Sequence, residues 1–482
     1  MTDADSIRPL EDARLPDDAP AAALPLSSRD GVAAIPATGE FPSYGTLVGG
    51  PLVRTIATVA LPAVASMLLM TIFSTADAYW VGRHIGPDGL AAVSTSLFWI
   101  WLLIACAELV SVGLTSVASR RHGERRHVAA AEAVGNGVLL ALVLGSIAAV
   151  LGHLSLDWLF SVMETPSHVT ELGRVYLGTY LLGAPPYFGF FAVDAASRAS
   201  GNTRTPFLLL LASVIGALIL DPVLILGLAH APRLGIAGAA VATVFTRSVA
   251  FVLGIVLLAR RRMIRFGSIS ASTMRSVIRV GLPTAVTGVL FSLTYVFLTR
   301  TTALFGTPAL AALGVGHRVE SWTFTVGVGF GAATAAIVGQ SLGAGEVDRA
   351  ARAGWIATGL ATLVGVVGAL LELTYAPEFA ALFTTDPAVV AESVRYLRIA
   401  AFSTIFIGSE LVLEGALGGA GNTLPPMISS TTFTALRIPV AAWAATYWGT
   451  AGIWWTISLT AICRGVAMMA LWRGGGWRSK KV

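Results

Sequence analysis

Asp77, Glu108, Asp194, Asp221, Glu320, Glu410 and Glu414 each interrupt a long stretch of otherwise apolar residues. A carboxylate held in hydrocarbon costs about 2.5–3.5 kcal/mol or more, so each is a candidate for handling a proton or a cation. Spacing sorts them. Glu410 and Glu414 are four residues apart and share one face of a helix. Glu320 lies three residues from His317, with Arg318 adjacent, a group that either binds substrate or neutralises itself. Asp194 stands four residues before Arg198, the spacing of a helical ion pair. Asp221 precedes Pro222, so a local kink is the alternative to a chemical role. Glu410 reads as facing a cavity, with Arg437 as its counter-ion, whereas Glu108 has no visible partner. Tyr79, Trp99, Trp101, Tyr295 and Trp322 fall beside these acids, and a lipophilic cation gains from aromatic faces near a carboxylate. Trp443, Trp448, Trp454 and Trp455 read instead as an interfacial belt.

The elements that must position these groups are membrane helices. Hydrophobic residues make up 55% of the 482-residue chain and charged residues 12%, about half the charge of an ordinary soluble domain. Residues 133–152 and 280–299 contain no Asp, Glu, Lys or Arg and can each span a bilayer. Arginines cluster at Arg120, Arg121, Arg125 and Arg126, again at Arg260, Arg261, Arg262 and Arg265, and the chain closes on Arg473, Arg478, Lys480 and Lys481. Single arginines occupy the alternate loops, so the net charge of +5 reads as positive-inside patterning with both termini cytoplasmic. Cys106 and Cys463 lie inside apolar spans and read as small buried hydrophobes.

The chain is one unit written twice. Gly201-Asn202-Thr203 returns as Gly421-Asn422-Thr423, and Ala60-Leu61-Pro62 returns as Gly281-Leu282-Pro283. Asp194 and Glu414 each stand seven residues before the glycine of that motif, which favours an architectural role for both, shared with Gly201, Asn202, Gly421 and Asn422. Six spans per copy give twelve, and an even number per copy makes the repeats parallel, with a substrate cavity expected between them near the midplane. The fold class is therefore all-α integral membrane, twelve transmembrane helices in two parallel six-helix repeats. The expected organisation is a disordered cytoplasmic tail over 1–50, an N-lobe over 51–262, a linker over 263–273, a C-lobe over 274–475 and a basic cytoplasmic tail over 476–482.

These repeated motifs resemble the multidrug and toxic compound extrusion (MATE) family over about residues 50 to 473. The segments that carry the resemblance are Asp77-Ala-Tyr-Trp-Val-Gly-Arg with Leu90-Ala-Ala-Val, the two Gly-Asn-Thr loops, Leu220-Asp221-Pro-Val, Gly235-Ile-Ala-Gly with Thr243, and His317-Arg318-Val319-Glu320-Ser321. The resemblance implies V-shaped lobes that open alternately to each side of a bacterial-type inner membrane. It implies a secondary antiporter that exports organic cations or drugs for protons or sodium. Asp77, Asp221 and Thr243 match the family's ion-coupling positions, and Glu410, Glu320, His317, Arg318, Trp322 and Tyr79 are the substrate-binding candidates. The family often carries Asn one turn before the fifth-helix Asp; here Ala217 stands there, and the seventh helix, Val280 to Thr299, has no acid. Both departures tilt the expected ion from sodium to a proton, because hard cations want several oxygen ligands.

Other classes fit less well. The chain has no HExxH, no CxxC, no paired Asp-rich motif and no Walker motif, and Gly327–Gly331 lies inside a span, so an integral-membrane enzyme and an ATP-driven pump are disfavoured. A lipid-linked flippase would want a cationic cavity, whereas the acids here outnumber Arg318 and Arg437. No cofactor, metal or nucleic-acid partner is expected, and the chain is expected to act as a monomer on a small molecule within membrane lipid.

Overall fold

Residues 47–163, 166–267 and 269–480 are described by a computed structural model, so all but the last few residues of the expected N-terminal tail lie outside the description, as does Lys481. The protein is built from helices: α1 (Leu52–His84), α2 (Pro87–Gly123), α3 (His127–Leu154), α4 (Leu156–Val162), α5 (Ser167–Leu182), α6 (Ala184–Ala199), α7 (Arg204–Leu226), α8 (Ile236–Arg260), α9 (Ala271–Ala303), α10 (Thr307–Gly343), α11 (Val347–Thr374), α12 (Ala376–Ala381), α13 (Pro387–Gly419) and α14 (Leu424–Gly474). Ten of these are long and apolar enough to cross a membrane. An eleventh crossing is shared by α5 and α6, which part at Gly183, where Pro185 and Pro186 start a new helix. The twelfth arises because α14 is two helices in series, joined at Gly449, whose φ of 58° and ψ of −141° are not helical.

The duplication is written into the backbone. Gly235 has φ 57° and ψ −132°, almost the values of Gly449, in a region that L side chains rarely enter. Left-handed residues recur at Gly86 and Gly306, at Arg125 and Gly345, and at Gly201 and Gly421. Each Gly-Asn-Thr turn closes its helix in the same way: Asn202 N–H donates to the Ser197 carbonyl and Asn422 N–H to the Leu417 carbonyl, at 3.0 and 2.9 Å. The side chains then differ. Asn202 bonds both the hydroxyl and the backbone N–H of Thr205, whereas position 425 is a proline with neither group. The kinks match too: Ser66 and Thr287 each donate back to a helix-interior proline carbonyl, Pro62 at 2.9 Å and Pro283 at 3.0 Å.

One buried apolar core runs through the first half, centred on residues such as Val110, Leu114, Phe188 and Val193. A second, containing Leu313, Tyr396, Leu397 and Trp454, lies in the second half. The halves meet at the Arg-rich ends of their helices. There Ile56, Val59 and Ala60 of α1 pack with Ala333, Ile337 and Ala357. Glycines permit the approach: a Cβ at Gly113 would meet the Val277 carbonyl, and one at Gly281 the Leu109 carbonyl. Gly316, Gly327, Gly329 and Gly331 are likewise pressed against Tyr396, Leu411 and Val64, while Gly314 faces open space.

Three sequence expectations need correction. Trp454 is not a belt residue: it is 1% exposed, and its Nε1 donates to Glu392 at 2.7 Å, while Trp443 and Trp448 are exposed. Cys463 is exposed on α14 rather than buried, since its place on the helix faces outward. The tail segments are tied at their roots. Leu47 is buried against the second half, and Trp477 is fully buried, stacked 4.0 Å from Trp472.

Candidate functional site

In the first half, the apolar periodicity of α1 buries Phe73, Asp77 and Val81 on one stripe. The stripe of α7 buries Val214, Ala217, Asp221 and Ile225. A carboxylate on each stripe is therefore drawn into the core with its neighbours. Asp77 is 5% exposed and Asp221 is fully buried. Tyr176 of α5 donates its hydroxyl to Asp77 Oδ2 at 3.2 Å. Asp77 Oδ1 and both carboxylate oxygens of Asp221 have no protein hydrogen-bond partner. The two acids thus lie buried on helices α1 and α7, which pack against each other. Helix α7 continues as a helix through Pro222 to Leu226, and the Asp221 carboxylate takes no part in a local turn.

Thr243 is buried on α8. Gly238 packs on Leu224 and Gly216 on Thr246, so the antiparallel register of α7 and α8 brings Thr243 within a turn of the level of Asp221. Ala217 is buried and offers no oxygen. Behind the acids, Tyr176, Tyr180 and Tyr187 form an aromatic run, and buried Arg247 lies over the Phe190 ring at 5.8 Å with Nη2 on Met70 Sδ. Tyr79 lies elsewhere: it is 57% exposed and packs edge-on against Trp80.

In the second half, Tyr396 of α13 donates to Glu320 Oε2 at 3.0 Å, and His317 Nδ1 lies 3.8 Å from the same oxygen. The His317 ring stands edge-on to Tyr295, 4.6 Å between centroids. Arg437 donates to Tyr295, Thr460 and the Ile457 carbonyl. Arg318 and Trp322 leave this group. Arg318 is exposed and lies over Phe383 at 5.7 Å, and Trp322, two residues past Glu320, is 63% exposed. One helical step of about 100° from His317 turns Arg318 away, and two such steps from Glu320 turn Trp322 away.

A third set lies between the halves. Asp194 and Arg198 form the expected ion pair at 2.7 Å, and Arg198 also donates to Ser111 at 2.9 Å. Glu410 is buried, but its partner is Arg464 at 3.1 Å, not Arg437. It is the second segment of α14, past the break at Gly449, that turns an arginine onto Glu410. Glu414 and Glu108 remain half-buried.

Several residues here escaped sequence reasoning. Tyr176 and Tyr396 stand 220 residues apart, at the repeat offset, and that coincidence was readable. Glu372, 2% exposed and bonded by Thr404 at 2.9 Å, was visible as an acid near the end of an apolar span. Arg464 and Arg247 gave no signal beyond being polar residues in apolar company.

Two halves of this kind, each with a carboxylate and a tyrosine buried among membrane-length helices, define a duplicated multi-pass membrane transporter. The chain belongs to the MatE family, whose model matches residues 62–223 and 283–443, once in each half. It is 31% identical over 438 residues to the multidrug resistance protein NorM of Burkholderia vietnamiensis, covering 86% of this chain and 92% of that protein. It is 26% identical over 428 residues to an FAD transporter of Shewanella oneidensis, covering 87% and 94%. The Vibrio cholerae MATE transporter VcmN in its bent form superposes with a TM-score of 0.81 at 22% identity, over 89% of this chain and 99% of that one. The twelve-helix fold of two six-helix repeats is thus shared with solved MATE transporters.

Proposed function

We propose that the protein is a secondary antiporter that exports small organic cations or drugs across a bacterial inner membrane in exchange for protons. The observation that carries this reading is the Asp77–Asp221 pair, with three of its four carboxylate oxygens unpartnered by protein. A buried carboxylate without a partner must take up a proton or a cation. Two that share a pocket repel, and protonating one removes the repulsion. The coupling role is thus given to Asp77 and Asp221, with Tyr176 orienting Asp77. Thr243 is the nearest hydroxyl on α8. A proton needs one basic oxygen, whereas sodium needs several; Ala217 leaves the shell sparse, so proton coupling is favoured over sodium. The acidic character of the groups between the halves suits a cationic cargo, and the multidrug resistance role named for the NorM relative suits a drug.

In this reading the Arg-rich helix ends are cytoplasmic. The halves are joined at those ends, so the cleft opens outward and the exchange step awaits proton loading. The test is purified protein in liposomes, with efflux of a fluorescent cation driven separately by a pH or a sodium gradient. Efflux under the pH gradient alone is expected; a requirement for external sodium would reverse the ion assignment. Buried Arg247 and Arg437 favour one second reading, an anionic dinucleotide cargo like that named for the Shewanella relative. Liposomes loaded with FAD separate the two.

A further inference from the structure

The set of charges between the halves is unbalanced. Four carboxyl groups, Glu108, Asp194, Glu410 and Glu414, face two guanidiniums, Arg198 and Arg464. Asp194 and Glu410 are spent in ion pairs with those arginines. Glu108 and Glu414 are left, one from each half. Val112 of α2 packs on Gly418 of α13, and Ser116 Oγ donates to the Gly419 carbonyl at 3.3 Å. One turn back along both helices, this register brings Glu108 level with Glu414. The flanking arginines do not close on them: the Nε–H donors of Arg198 and Arg464 are buried without an acceptor. Each arginine forms its ion pair with Asp194 or Glu410 instead. Beyond this set stand Tyr187 of α6, Tyr295 of α9 and Arg437 of α14; Arg437 is taken up by Tyr295, Thr460 and the Ile457 carbonyl. Two like charges held level at a closing, dehydrating junction repel unless a proton neutralises one of them.

We propose that Glu108 and Glu414 form a proton-operated latch between the two halves: neutral, they let the Arg-rich ends close; ionised, they drive those ends apart. The proton comes from water in the cleft, adds to a carboxylate oxygen of the pair, and returns to water when the junction opens. This latch is separate from the Asp77–Asp221 pair and does not depend on what the protein exports.

The test measures distance, without cargo or gradient. In a Cys106→Ser, Cys463→Ser background, nitroxide labels at Leu154→Cys and Leu382→Cys report the separation of the ends remote from the arginines; both positions are highly exposed. In otherwise native protein, raising the pH from about 5 to about 8.5 should reduce the long-distance population by about tenfold. Glu108→Gln with Glu414→Gln should hold the long distance at every pH. Asp77→Asn with Asp221→Asn should leave the response intact. The latch is overturned if the Gln pair keeps the native response, if the native protein shows none, or if the Asn pair abolishes it. Should the double Gln protein fail to insert, Glu414→Gln alone decides, since one neutral member already removes the repulsion. Loss of export in liposomes with this response preserved would count against the export reading and not against the latch.

Discussion

Tyr176 and Tyr396 are repeat-equivalent, 220 residues apart, and each donates its hydroxyl to a carboxylate within its half, buried Asp77 at 3.2 Å and half-buried Glu320 at 3.0 Å. The acids they hold are not equivalent: one comes from the first helix of its half and the other from the second. The duplication has kept the donor and moved the acceptor. A hydrogen bond to a charged group is worth about 1.5–3 kcal/mol, so Tyr176→Phe and Tyr396→Phe should each destabilise the protein on that scale. Thermal unfolding in detergent reads this. Only Tyr176→Phe should also depress gradient-driven efflux strongly, because only Asp77 belongs to the proposed coupling pair; equal loss from both would make the second half a partner in coupling.

Asp77→Asn and Asp221→Asn should each abolish gradient-driven efflux while leaving folded protein in the membrane. Amides fill the same space but cannot carry the proton. The assay is liposome efflux beside a size-exclusion profile. Full transport by both variants would move the coupling site to the second half, to Glu320 and Glu372.

Ala217→Asn should add an oxygen one turn before Asp221 and create a sodium-stimulated component of efflux. The measurement is the initial rate with and without external sodium at equal pH on both sides. An unchanged sodium response would show that position 217 does not decide the ion.

Arg464→Ala leaves Glu410 buried without its partner, which should cost about 3–5 kcal/mol. Arg464→Met combined with Glu410→Gln removes both charges and should recover most of that loss. Unfolding temperatures of the two variants decide it. A double variant as unstable as the single would mean that Arg464 acts chiefly through packing on Phe291, over which its guanidinium lies at 5.8 Å.

The fold was largely legible in the chain. Arginine alternation and the returning Gly-Asn-Thr segment gave twelve spans, because lipid imposes length and the duplication imposes register. Two details were hidden. The break at Gly183 depends on Pro185 and Pro186, which have no counterpart in the second copy. The pairing of Glu410 with Arg464 rather than Arg437 depends on how far the second segment of α14 rotates after Gly449, which no local pattern encodes. The sites were legible as acids in costly places; their partners were not, since tyrosines and arginines on other helices arrive through tertiary packing. Asp194 with Arg198 and His317 with Glu320 are the exceptions, because both ends of each pair lie on one helix.

Residues 47–50 precede the first helix, yet they are held by the other half. Gln340 accepts from Leu47 N–H at 2.9 Å and donates to the Ala199 carbonyl at 2.6 Å, and Arg349 forks onto the carbonyls of Leu47, Gly49 and Gly50. Any pull on the chain ahead of Leu47 is therefore felt by α10 and α11 before it is felt by α1. The leader works as a tether rigged to the opposite wall. A bulky fusion joined close to Leu47 would bias which side of the membrane the cleft faces, and one joined after Lys480 would not.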